Sequence, residues 1–221
     1  MEFSGDIFPS LFLWVISVCY LLLFLYALYQ APWRRLINGG VLNVYFGSCV
    51  TLLLLWTMRV ATNDQLTFHL LGITAMTLMF GWSLTVVLGG IVLGGVTLNS
   101  AGSWELFAVN AFTTSVIPAT ISITALVMVR SLLPKNFFIY VLVNGFLTAG
   151  LAALISGYLA VGLLVAGGVF TLAELEQGLM PFFPLMFMPE AFLNGWAVTV
   201  MVLYRPHWLY SFSDRLYLDG K

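Results

Sequence analysis

Few side chains in this sequence are able to do chemistry, and they are widely spaced. His69 lies at the start of a long apolar run that follows the polar stretch Thr62-Asn63-Asp64-Gln65. An imidazole beside carboxylates is a starting point for a metal site, and Glu2, Asp6 and Asp64 are the acids able to converge on it as a cation-attracting mouth. A lone histidine at such a boundary also serves as a purely structural group, and both readings stand. Glu190 lies deep in another apolar run, with Asn194 one helical turn later on the same face. Glu190 either locks its helix into a bundle by bonding to Asn194 or takes part in ion passage.

Asn110, Thr113, Thr114 and Ser115 form a polar patch just before Pro118. They either satisfy carbonyls freed by the proline or line a cavity. The methionines (Met76 and Met79 in one segment, Met180, Met186 and Met188 near another) suit a soft metal, but at helical spacing they read first as packing. Cys19 and Cys49 both fall within apolar segments and read as packed thiols. The sequence has no pair of intramembrane histidines for a haem, and His207 lies past the last apolar segment. P-loop, dinucleotide and nucleophile-elbow patterns are also missing, which argues against an enzyme and against a self-powered pump.

The elements that must position these residues follow from composition. Of 221 residues 61% are hydrophobic and 8% charged, and mean hydropathy is +1.02. A soluble fold of this size needs far more charge, so lipid is the solvent. The apolar runs are long and do not alternate, which selects helices over a barrel. The expectation is an all-α polytopic membrane helix bundle in one domain, 1–221. Its seven transmembrane helices fall near 8–29, 41–58, 68–80, 82–98, 105–129, 137–164 and 181–204. The 31-residue apolar run from Phe68 to Leu98 is split at Gly81-Trp82, and Pro118 is expected to kink the fifth helix. Gly89-Gly90 and Gly94-Gly95, and the glycines at 145, 150, 157 and 162, read as sites of close helix packing.

Charge then sets orientation. With the N-terminus outside and the C-terminus cytoplasmic, Arg34, Arg35, Arg130, Lys135, Arg205, Arg215 and Lys221 all lie inside, and only Arg59 lies outside. As one helix, 68–98 would put Arg130 and Arg205 outside, so the charge rule supports the split. The acidic start, Met1 to Asp6, lacks the basic residues of a cleavable signal, so the N-terminus is expected to be retained; beside bulky Glu2, Met1 is expected to survive trimming. With a net charge of −1 and no basic patch, no nucleic-acid partner is expected.

Phe68-His69-Leu70-Leu71-Gly72, the short segment ending Phe80-Gly81-Trp82, and Glu105-Leu106-Phe107-Ala108-Val109-Asn110-Ala111-Phe112 resemble the CbiM/NikM family. These are substrate-binding membrane subunits of energy-coupling-factor transporters for cobalt and nickel. Trp33-Arg34-Arg35, Glu190 and the closing Arg205-Pro206 extend the resemblance through most of the chain. It implies seven helices, an external N-terminus, and a site in which an opening Met-His pair and a histidine matching His69 bind the metal. His69 carries over and Met1 can offer its amine, whereas Glu2 stands where the family has histidine. Pro9 falls where the family commonly has a proline before its first helix.

The expected metal ligands are therefore Met1, Glu2 and His69, with a carboxylate in place of one imidazole making the site harder and more anionic. The expected function is capture of nickel, cobalt or zinc from outside for import across the plasma membrane, with no organic cofactor. A second membrane coupling subunit and cytoplasmic ATPases would drive release, through the loops 31–39 and 130–136 and the tail after Tyr204. Two rivals remain at this stage. One is a non-transporting scaffold or metal-sensing partner of another complex; the other is a gradient-driven carrier using Glu190.

Overall fold

The computed structural model describes residues 2–5, 7–63, 66–99 and 104–218. Five helices are long and apolar enough to cross a membrane: α1 (Ser10–Gln30), α5 (Trp82–Asn99), α6 (Trp104–Leu132), α7 (Phe137–Ala166) and α9 (Met180–Tyr204). The apolar α3 (Leu42–Thr57) and the short α4 (Ile73–Phe80) complete the bundle, with α2 (Trp33–Asn38), α8 (Leu172–Gly178) and α10 (Asp214–Tyr217) at its ends. A small antiparallel sheet of order β1-β3-β2 joins Glu2–Phe3 (β1), Val60–Asn63 (β2) and Leu66–Phe68 (β3). The helices carry many large apolar groups outward, with Trp14 73% and Trp196 69% exposed. Such a surface is stable only against hydrocarbon. The chain is an all-α polytopic membrane protein.

The sheet corrects two expectations. Strands of two to four residues leave no readable periodicity, so the sequence predicts none of them. Because β3 takes residues 66–68, α4 begins at Ile73 and not at 68. Gly72 and Gly81 flank it at φ 68° and 82°, conformations that glycine adopts without penalty. The break expected at Gly81-Trp82 is present, and α5 starts at Trp82.

Eight residues rise only about 12 Å, so α4 is a half-helix buried inside the bundle. Its ends are satisfied by distant segments. At its N-terminus the Glu190 carboxyl group accepts from Leu71 N–H (2.7 Å) and Gly72 N–H (2.7 Å), and Asn194 Oδ1 accepts from Ala75 N–H (2.8 Å). At its C-terminus the carbonyl of Met79 accepts from Tyr210 N–H (2.9 Å) and that of Leu78 from Ser211 N–H (3.1 Å). Ser211 Oγ also donates to Leu78 O (2.8 Å), so it must accept from Tyr140 Oη, 2.6 Å away. Arg130 donates to Tyr217 Oη and to the Ser211 carbonyl, and Arg35 lies 4.6 Å from the centre of the Tyr210 ring. The tail after α9 is thereby packed into the end of the bundle opposite the sheet.

A five-residue π-helical turn, Phe112–Val116, precedes Pro118 within α6. Hydroxyls bond back to carbonyls around this turn: Thr114 Oγ1 donates to Asn110 O (2.7 Å) and Thr120 Oγ1 to Val116 O (2.7 Å). Both bonds go to carbonyls other than that of Thr114, the one Pro118 leaves without its α-helical donor, so they do not perform the role expected at the proline.

Glycine packing divides by position. A Cβ at Gly89 would lie 2.6 Å from Ser115 Cβ, so α5 and α6 touch there, whereas a Cβ at Gly94 would meet nothing within 4 Å. Gly89→Ala is expected to destabilise by about 1–3 kcal/mol through overpacking. Gly94→Ala leaves the unfolding midpoint in detergent unchanged; equal midpoints for the two variants would remove this packing account.

Candidate metal-capture site

The sheet end of the bundle holds Glu2 and His69, two of the three residues expected to bind metal. β1 lies beside β3 with Glu2 opposite Thr67 and Phe3 opposite Leu66, which places Glu2 two residues along the ladder from His69. Two residues of strand pairing hold little by themselves. The rest comes from Asn110 in α6, whose Oδ1 accepts from Phe3 N–H (2.7 Å) and whose Nδ2 donates to Phe3 O (3.0 Å). Phe3 also packs with Ile7, Leu106, Val109, Leu164 and Phe183 in a separate apolar cluster. The opening segment is therefore docked into the bundle by both main chain and side chain.

His69 follows β3 directly and is buried, 6% exposed. Its ring lies 5.1 Å from that of Trp56, whose Nε1–H donates to Leu71 O (3.0 Å) and fixes the same turn. His69 Nδ1 is 3.1 Å from the carbonyl oxygen of Leu70. A carbonyl can only accept, so the proton sits on Nδ1 and Nε2 carries the lone pair. Among the described residues His69 Nε2 is buried without a hydrogen-bond partner. His69 lies outside the five long helices, and burial holds its pKa well below the ordinary imidazole value, with Arg59 pushing the same way. The ring is neutral and ready to donate electrons to an ion.

A cavity of about 290 Å³ opens beside this ring, lined also by Met58, Leu71, Ser156, Met186 and Glu190. Ser156 Oγ, like His69 Nε2, is buried without a partner. Of the methionines singled out by sequence, Met186 faces this cavity, while Met79 packs in the main core. Pro189, which also lines the cavity, stands inside α9 immediately before Glu190.

The structure brings Glu2 and His69 to the same end of the bundle. Met1, Asp6 and Asp64 lie outside the described residues. Among the described residues no three His, Cys, Asp or Glu side chains gather into a group able to hold a metal ion. Glu2 is buried, and its Oε2 lies 3.2 Å from Arg59 Nη1. Sequence reading notes Arg59 only as the one basic residue on the outer side and misses this pair. It also leaves the partner of Asn110 unread, because neither contact has a local sequence signal.

Glu190 contributes to this region as a cap and not as an open carboxyl group. Besides the two N–H groups of α4, its Oε1 accepts from Asn194 Nδ2 (2.7 Å). The pairing with Asn194 expected from their spacing is present.

Comparison with known proteins agrees with this architecture. The model of the CbiM family, described as the cobalt uptake substrate-specific transmembrane region, matches residues 4–208. No curated protein matches the sequence. The match takes in β3, the sheet partner of the opening segment, as well as β2, His69, the half-helix with its Glu190 cap, and the start of the tail. The chain belongs to the CbiM family of cobalt-uptake membrane components.

Proposed function

We propose that this protein captures a divalent transition-metal ion at the sheet end of its bundle, facing the outside of the cell, and hands it to an energy-coupled import machine. The observation that carries this reading is the bare, buried Nε2 of His69 beside a docked N-terminal segment. His69, the Met1 amine and the Glu2 carboxylate are the proposed ligands. A nitrogen and carboxylate set of this kind suits cobalt, nickel or zinc. The ion is substrate, no organic cofactor is involved, and the protein catalyses no reaction of its own.

The distribution of charge supports the orientation. Arg34, Arg35, Arg130, Lys135, Arg205 and Arg215 lie on α2, the α6–α7 link and the tail, at the end opposite the sheet; Arg59 lies at the sheet end. With seven helical segments, counting the half-helix α4, the N-terminus is external and the C-terminus cytoplasmic. The membrane is the plasma membrane. The basic end, with its packed tail, is the surface for a second membrane subunit and for cytoplasmic ATPases.

The test is metal content by mass spectrometry and affinity by calorimetry, on wild type and His69→Ala in detergent. His69→Ala is expected to weaken binding about thirtyfold, roughly 2 kcal/mol. Unchanged stoichiometry and affinity would remove His69 from the site. One observation favours the rival scaffold or sensor reading, namely that Glu2 is engaged by Arg59. No bound metal in either protein after incubation with nickel, cobalt and zinc would establish that rival.

A further inference from the structure

We propose that Arg59 is a built-in competitor of the captured cation. Its guanidinium occupies the Glu2 carboxylate in the unloaded site, yields it when a divalent ion binds, and so sets the charge an ion must bring. This rests on the reading that Glu2 and His69 hold the ion.

A buried carboxylate needs a counter-charge, and the Glu2 side chain is only 9% exposed. Arg59 supplies that charge through one contact at 3.2 Å, longer than the roughly 2.7–2.9 Å of a tight charge-assisted bond. The pair is loose enough to be exchanged. Arg59 follows α3 in the link to β2, with its N–H donating to Thr57 O, and its side chain is 31% exposed. Rotation about its own side chain takes the guanidinium into water without moving any helix.

Nor does the exchange require the opening segment to leave. Phe3 stays held by Asn110 on one side and by β3 on the other, whatever Glu2 does. Only the carboxylate changes partner. A monovalent ion brings the same unit charge as the guanidinium and gains little Coulomb energy by replacing it. A divalent ion brings twice that charge at the same carboxylate. Arg59 thus lowers affinity for every cation while tilting selection toward divalent ones.

The experiment is calorimetric titration of the full chain in detergent, at fixed ionic strength, with cobalt, nickel and zinc chlorides. Arg59→Gln is expected to bind about tenfold more tightly than wild type, equivalent to about 1.4 kcal/mol. Arg59→Lys, which keeps the charge, stays within about threefold of wild type, and on a Glu2→Gln background the gain from Arg59→Gln falls below about twofold. Unfolding midpoints of all variants establish that each is folded. Affinity in Arg59→Gln equal to or weaker than wild type overturns the proposal, as does a full tenfold gain without Glu2. Binding lost in His69→Ala but unaltered in Arg59→Gln overturns the competition alone. Folded wild type and variants that all fail to bind overturn the capture site and the competition together.

Discussion

Glu190→Gln lowers the unfolding midpoint far more than Phe192→Ala, a substitution two residues away on the lipid side of the same helix. Three N–H donors converge on the Glu190 carboxyl group: two from the backbone ahead of α4 and one from Asn194. A glutamine offers one oxygen and one NH2 group. Whichever way it is turned, a donor faces a donor, and at least one buried backbone N–H is left without a partner. Leaving such a group unpaired costs about 1–3 kcal/mol, and weakening the remaining contacts brings the expected loss to about 3 kcal/mol. Phe192 is 61% exposed to the surroundings of the bundle, so its truncation removes little packing.

The consequence reaches the site because Leu71 and Gly72 lie two and three residues after His69. A displaced α4 N-terminus turns the imidazole away from its cavity. Metal affinity is therefore expected to fall together with stability in Glu190→Gln, measured by fluorescence-detected unfolding and by calorimetry. A variant as stable as Phe192→Ala would show that α4 is held by packing alone.

The parts of this architecture legible in the sequence are those written in long apolar runs and in charge. The break at Gly81-Trp82 followed from a run too long for one helix, and the described basic residues other than Arg59 sort to one end as their positions in the sequence implied. His69 and Glu190 stood out because ionisable groups are rare in such a chain. What escaped reading has no local signal. Glu2 and Phe3 pair with residues more than sixty positions away, in strands too short to show a period. Nothing around Asn110 says that its amide serves the opening segment and not the carbonyls near Pro118. The Ser211–Tyr140–Leu78 contacts sit in a tail whose composition looks like an ordinary polar end. Non-local hydrogen bonding decides these cases, and it is invisible to any window of sequence.

Asn110→Ala is the substitution expected to separate the opening segment from the rest of the fold. The Asn110 side chain acts as a missing strand, accepting from Phe3 N–H and donating to Phe3 O through one planar amide. Alanine leaves both groups of a buried residue without that partner, at an expected cost of about 3 kcal/mol. The loss falls on the segment and not on the bundle, because the helices keep their own contacts. Hydrogen exchange at the Phe3 amide should therefore accelerate about a hundredfold while exchange in α5 and α7 is unchanged. Asn110→Asp gives an intermediate result, since one oxygen still accepts from Phe3 N–H while the other opposes the Phe3 carbonyl. Metal binding should weaken in the same order, with Asn110→Ala below Asn110→Asp and both below wild type, because Glu2 and the amine before it can serve as the proposed ligands only while the segment is docked. Unchanged Phe3 exchange in Asn110→Ala would mean that pairing with Leu66 and Thr67 and the apolar seat of Phe3 hold the segment without the amide. In that case the proposed ligands would keep their places without the amide, and metal affinity in Asn110→Ala would equal that of wild type.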